Sequence, residues 1–156
     1  MRHLACLFLL AAALFIPGPA RAGAGDAVYA NARFGYSLTY PADLFTPGPE
    51  SENGDGRTFD GPDGARLLVF ASHNALGSTV AAAFDEERLA PGLEVTYSVK
   101  KKDWFVVSGV KDGMIVYRKS ILKDDVWHTL ELTYPYGLKA RIDPLVEGIV
   151  SSFKTP

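Results

Sequence analysis

The stretch LEVTYSVKKKDWFVVSGVKDGMIVYRKSILKDDVWHTLELTY, residues 93–134, decides how this chain folds. It divides into four runs rich in β-branched and aromatic residues: Leu93 to Lys101, Trp104 to Val110, Met114 to Leu122 and Val126 to Tyr134. Such residues fit a pleated, half-buried surface, so each run reads as a strand. Asp112-Gly113 separates two of them by a pair that accepts the left-handed backbone of a tight hairpin, and Lys123-Asp124-Asp125 is a weaker signal of the same kind. The four runs therefore form an antiparallel meander.

Upstream, Phe34, Tyr36, Leu38 and Tyr40 alternate with Gly35, Ser37 and Thr39, a period of two that predicts a strand with one buried aromatic face, stopped by Pro41. Residues 42–56 follow as a loop rich in Pro, Gly, Asp, Glu, Asn and Ser. Leu44 and Phe45 lie at its start, and it is expected to be the longest irregular and most mobile segment. Arg57 to Asp60 and Ala65 to Ser72 read as strands around the turn Gly61-Pro62-Asp63-Gly64. Leu67 to Ala71 is apolar throughout, which predicts a central strand covered on both sides.

Two helices complete the pattern. Ser78 is placed to cap a helix through Leu89, with Val80, Ala83, Phe84 and Glu87 on one face and Leu76 stapling its entry. Asp143 as cap and Pro144 at the first helical position open a second, whose stripe is Leu145, Val146, Ile149, Val150 and Phe153. The expectation is an α+β domain with a mainly antiparallel sheet of about six or seven strands and two main helices, which cover the sheet on at least one side.

The beginning of the chain concerns address. Arg2 and His3 precede an unbroken apolar run from Leu4 to Ile16, and Pro17-Gly18-Pro19 breaks it before Ala20-Arg21-Ala22. That is the grammar of a Sec signal peptide, residues 1–22, cleaved after Ala22. The run reaches only about 20 Å as a helix, against roughly 30 Å of bilayer hydrocarbon, so no transmembrane anchor is expected after processing. Residues 23–33 are small, polar and aperiodic and read as a flexible leader, leaving residues 34–154 as a single domain. Cys6 is the only cysteine and falls within the signal, with too few residues before it for a lipoprotein anchor. The exported portion thus has no thiol and no disulfide.

Removing Arg2 and Arg21 takes the formal charge from −2 to −4, so nothing in the balance points to nucleic acid. Acidic Glu50, Glu52 and Asp55 and basic Lys100, Lys101 and Lys102 instead make a two-signed surface. No catalytic, cofactor or metal-binding set is expected. His128 is in phase with Val126, Leu130, Leu132 and Tyr134, which makes it a core histidine in need of a hydrogen-bond partner. The alternative is a metal cluster of Asp124, Asp125 and His128. His73-Asn74 ends a strand, where capping and site chemistry both occur, and Ser108-Gly109 lacks the turn that exposes a nucleophilic serine. Lys100, Lys101, Lys102, Lys111, Arg118, Lys119 and Lys123 either gather into a basic patch for an anionic partner or form a charged edge that blocks strand pairing. Trp127 alternates with Thr129 and Glu131, and is either covered by a helix or exposed as a partner anchor, while Trp104 stands as a further flag.

The strand Phe34-Gly35-Tyr36-Ser37-Leu38-Thr39-Tyr40-Pro41 resembles the opening strand of the photosystem PsbP, Mog1 and DcrB-like superfamily. The closing helix from Asp143-Pro144 to Ser152-Phe153-Lys154 is similar to the terminal helix of its bacterial PsbP-like exported members. With the meander between them the likeness spans residues 34–154. It implies an α/β/α sandwich, and its members serve as accessory subunits, small-GTPase binders or envelope proteins. The resemblance transfers no functional residue.

Three functions remain in view. The first is an exported, periplasmic or secreted, non-enzymatic accessory protein that binds a protein or envelope component through the 42–56 loop and the late strands, with Leu44, Phe45, Lys100, Lys102 and Trp127 as candidate contacts. The second is a small hydrolase or metal-assisted enzyme using His73 and His128. The third is a carrier of a small apolar ligand between sheet and helix, resting on Tyr36, Tyr40 and Phe70.

Overall fold

The structure, a computed structural model, describes residues 25–156. The expected signal segment, residues 1–22, lies outside them. The meander forms as expected: β6 (Glu94–Lys100), β7 (Trp104–Lys111), β8 (Met114–Lys123) and β9 (Val126–Pro135) pair in succession, all antiparallel. Its two tight turns use aspartate where the backbone turns left-handed, with Asp112 at φ 50° before Gly113, and Asp124 and Asp125 at φ 49° and 60°. Two consecutive left-handed residues match the twist of the flanking strands, and aspartate tolerates that conformation better than most residues.

β9 then pairs with β5 (Arg66–His73), β5 with β4 (Gly56–Asp60) and β4 with β3 (Thr46–Glu50). The seven strands run in the order β3-β4-β5-β9-β8-β7-β6. A separate two-stranded ribbon joins β1 (Asp26–Ala30) to β2 (Ser37–Pro41). The helices are α1 (Val80–Arg88) and α2 (Lys139–Ser152).

Cross-strand partners share a face, so the register sorts every side chain. On one face Phe105, Val107, Leu122 and Trp127 meet Val80, Ala83 and Phe84 of α1. Arg118 on this face pairs with Glu131 at 3.2 Å and with Glu87 of α1, fastening the helix to the sheet. On the other face Phe59, Leu67, Val69, Ala71, Leu130 and Leu132 meet the ribbon and α2, and form the larger core with Tyr36, Leu38, Ile142, Ile149 and Phe153. The α/β/α layering and the two main helices are as expected.

Several local readings are corrected. The leader is not flexible from end to end, because residues 26–30 form β1. Tyr29 buries on its inner side against Tyr36 and Phe59, and the strand pairs fully with β2. The 42–56 segment is not one irregular loop: residues 46–50 form β3, whose Pro47 and Pro49 suit a sheet edge that needs no outward donors. The rest is fastened. Asn31 donates from Nδ2 to Glu50 Oε1 at 3.0 Å and to the Gly54 carbonyl at 3.0 Å, and the Tyr36 hydroxyl donates to the Asp55 carbonyl at 2.9 Å.

β5 is sealed only on the α2 face. There Leu67, Val69 and Ala71 are buried, whereas Leu68 and Phe70 on the other face stay half-buried, since α1 packs on β6 and β7. Thr79, not Ser78, caps α1, accepting from the Ala82 N–H at 3.1 Å, and Leu76 is 93% exposed and staples nothing. α2 begins at Lys139, so Asp143 and Pro144 lie inside the helix and the cap assigned to Asp143 does not form. Asp143 turns instead to Tyr134 and Lys139.

Candidate binding cleft

α2 packs chiefly on β2 and β9 and makes at most slight contact with β6, β7 and β8. One row of cross-strand partners records where the cover ends: Phe59, Leu67, Leu132, Tyr117, Ser108, Tyr97. Phe59, Leu67 and Leu132 are fully buried, Tyr117 and Ser108 are partly exposed, and Tyr97 on the edge strand is 54% exposed. Between this open end of the sheet and the start of α2 lies a cleft of about 440 Å³.

Its floor comes from two rows, Tyr97-Ser108-Tyr117 and Val110-Ile115-Tyr134, and its far wall from Tyr136, Lys139, Asp143 and Val146. Tyr136, in the short turn before α2, is 59% exposed. Among the phenylalanines, tyrosines and tryptophans of the described residues, Tyr97 and Tyr136 are the two that stand exposed, and both border this cleft. A β-bulge shifts the register between Val95 and Tyr97. Gly109 permits it, because a Cβ there would stand 2.4 Å from the Glu94 carbonyl oxygen.

The polar groups at the far wall satisfy one another. The Tyr134 hydroxyl donates to Asp143 Oδ1 at 2.6 Å, and Lys139 Nζ pairs with Asp143 Oδ2. Burial and the bond to Asp143 raise the Tyr134 pKa above the ordinary phenol value. Burial works against the Asp143 charge, but its bonds to Lys139 and Tyr134 outweigh it and hold the carboxyl below its usual range. Burial, with the neighbouring Tyr97, also raises Tyr117. All three phenol and carboxyl groups thus keep their ordinary forms at neutral pH, and the cleft's one cation and one anion cancel.

The residues expected to touch a partner lie elsewhere. Leu44 and Phe45 are 8% and 0% exposed, part of the core, and unavailable to a partner. Trp127 is half-buried beneath α1, with its ring 6.1 Å from Phe105 and its indole N–H donating to Asn74 Oδ1 at 3.2 Å, which selects the covered reading over the exposed anchor. Lys100 reaches across α1 to the Phe84 ring at 5.4 Å, and Lys102 is exposed in the β6–β7 turn.

The basic patch does not assemble on one face. Lys100 and Arg118 belong to the α1 side, whereas Lys119 and Lys123 pair across the sheet into the opposite side. Lys119 lies over the Trp104 ring at 5.5 Å, and burial lowers its pKa.

His73 and His128 both lie on the α2 face, near the end of adjacent strands. His128 is 3% exposed, its ring and that of Tyr36 meet in a T-shaped pair with centroids 5.9 Å apart, and Nδ1 has no partner of hydrogen-bond geometry among the described residues. Burial lowers its pKa, opposed by the backbone of Phe34 and Val126. His73 is exposed and rests its ring against Phe34 at 5.4 Å. Among the described residues neither imidazole hydrogen-bonds to a carboxylate, and no group of three or more metal-binding side chains converges. Asp124 and Asp125 are turn residues. Tyr36 and Tyr40 pack in the core on the α2 face while Phe70 points to the α1 face, so the three do not enclose one void.

A second groove of about 630 Å³ runs between the ribbon and the C-terminal half of α2, past Val28, Thr39, Leu145 and Gly148. Its polar contacts serve the fold: the Ser152 hydroxyl bonds both the N–H and the carbonyl of Thr39. No helix among the described residues is long and apolar enough to cross a membrane.

Sequence reasoning missed Tyr97, Tyr117, Tyr136 and the Lys139–Asp143 pair. The alternation of β6 and β8 was visible, but joining Tyr97 to Tyr117 needed the bulge and register, which the sequence alone does not print.

No family model matches this chain, and no curated protein matches it in sequence. Its fold does have a counterpart. The solution structure of cyanobacterial PsbP (CyanoP) from Synechocystis sp. PCC 6803 superposes with a TM-score of 0.62 over 91% of this chain and 99% of that one, at 12% sequence identity. At that identity the likeness is one of architecture, and the chain has a PsbP-like α+β fold.

Proposed function

We propose that this chain is an exported, non-catalytic accessory protein of the bacterial envelope, periplasmic or secreted, that holds an envelope component in the cleft between β6–β8 and α2. The observation that carries this reading is the pairing of Tyr97 and Tyr136, 54% and 59% exposed, on one preformed cleft of about 440 Å³. Leaving two large aromatics in water forgoes burial that the rest of the fold achieves, and exposed tyrosines rimming a concavity of this size mark binding surfaces. The basic start, apolar run and small-residue site of residues 1–22 support export, and the PsbP-like fold fits an accessory role.

The test has two arms. Fractionation of cells that make the native chain, with amino-terminal sequencing, is expected to find a processed protein starting at Gly23 outside the cytoplasm; unprocessed cytoplasmic protein would contradict export. A photo-crosslinking residue in place of Tyr97 is expected to trap an envelope component in living cells. The same residue in place of Leu76, 93% exposed on the loop before α1, serves as the control. Equal yields from the two positions would contradict the cleft.

A further inference from the structure

We infer that the cleft takes a neutral saccharide of two or three rings. This deepens the proposed function and rests on the cleft being the binding surface.

Size comes first. The accessible floor runs from Tyr97 on β6 to Tyr117 on β8, two strand spacings or about 10 Å, which matches about two hexose rings lying across the strands, since Tyr134 on β9 is buried. The volume of about 440 Å³ falls within the range of small-molecule sites and admits two or three hexose rings.

Chemistry narrows the class. A pyranose presents C–H groups on its face and hydroxyls around its edge. Tyr97, Tyr117 and Tyr136 offer the complement: flat apolar rings, each carrying one hydroxyl able to donate and accept. Ser108 on the floor adds a further hydroxyl. For an apolar ligand these hydroxyls would be desolvated without partners, an unfavourable arrangement that a polyol avoids.

Charge disfavours the ionic alternatives. The only charged side chains lining the cleft are Lys139 and Asp143, and they neutralise each other in a direct pair that Tyr134 also joins. An anionic ligand would find no free cation and a cationic one no free carboxylate. Either would have to compete with the existing partner in that part-exposed pair, at a modest cost.

The experiment is calorimetric and NMR titration of the protein expressed from its full sequence with cellotriose, maltotriose and N,N′-diacetylchitobiose, beside an acidic oligosaccharide, oligogalacturonate. At least one neutral sugar is expected to bind in the millimolar range or tighter. Tyr97→Ala and Tyr136→Ala should each weaken it about tenfold or more, the loss expected when a stacked aromatic is removed, while Leu76→Ala should leave it unchanged. Both tyrosines are more than half exposed, so both variants retain the fold. Binding of oligogalacturonate alone, or neutral binding indifferent to both tyrosines, overturns the inference. If no sugar binds while the Tyr97 crosslinker still traps an envelope protein, the saccharide class fails and the cleft survives. If the crosslinker too yields nothing above the Leu76 control, the reading beneath it fails as well.

Discussion

Asn31 shows how one polar side chain can organise a surface. It is 4% exposed, its Nδ2 faces Tyr29, Glu50 and Gly54 at 3.0 to 3.1 Å, and its Oδ1 accepts from the Phe34 N–H at 2.8 Å. Asn31→Ala strands these groups in a buried place and is expected to cost about 2 kcal/mol in urea unfolding. It should also release the 51–55 turn, seen as faster amide exchange there; a loss below about 0.5 kcal/mol with unchanged exchange would count against the network. His128 is the second case. Its pKa is lowered by burial, so the unfolded chain binds the proton more readily than the folded one. The stability tied to its neutral form is complete above about pH 6.5 and declines as the pH falls from there toward the lower folded-state value. His128→Leu is expected to flatten the fall in urea midpoint between pH 7.5 and 5; identical pH profiles for the two proteins would refute the assignment. Its core position was legible from the phase of Val126, Leu130 and Leu132, because strand alternation is a local property. Its missing Nδ1 partner was not, since that depends on what Phe34 and Tyr36 bring across from another layer.

Among elements, the meander was readable almost residue for residue, because Asp112-Gly113 and Asp124-Asp125 fix register locally. β1 and β3 were missed for opposite reasons. β1 carries a single large inward residue, Tyr29, too little to register as a period, and β3 contains prolines that a central strand could not accept but an edge can. If β1 is part of the fold, Tyr29→Ala should cost about 3 kcal/mol, the usual loss for a buried aromatic, whereas a flexible leader would tolerate it without change in the urea midpoint. α2 starts earlier than its sequence grammar proposed, at the expense of one hydrogen bond that Pro144 cannot donate. Pro144→Ala is accordingly expected to raise stability by about 1 kcal/mol, and a destabilised variant would place the helix start after Asp143. On β7, Gly109→Ala drives a Cβ into the Glu94 carbonyl and should cost about 2 kcal/mol while moving Tyr97 away from the cleft.

At the scale of the molecule, the layers followed from the apolar pattern, and the shape they leave open did not. Two helices of 9 and 14 residues cannot roof seven strands on both faces, and α2 is committed to β9 and the ribbon by Ile142, Ile149 and Phe153. The exposed end of β6–β8 is what remains, and there the tyrosines stand. Leu44 and Phe45 looked like loop contacts because their neighbours are polar, yet their burial closes the opposite end of the sheet. The most direct measurement of the cleft's role is an amide shift map of the isotope-labelled protein titrated with a neutral glycan fraction released from the envelope. Saturating shifts gathered on Tyr97, Ser108, Tyr117, Tyr136 and Lys139 are predicted. Shifts that gather instead on α1 or on the ribbon groove, or that scatter without saturating, would contradict it.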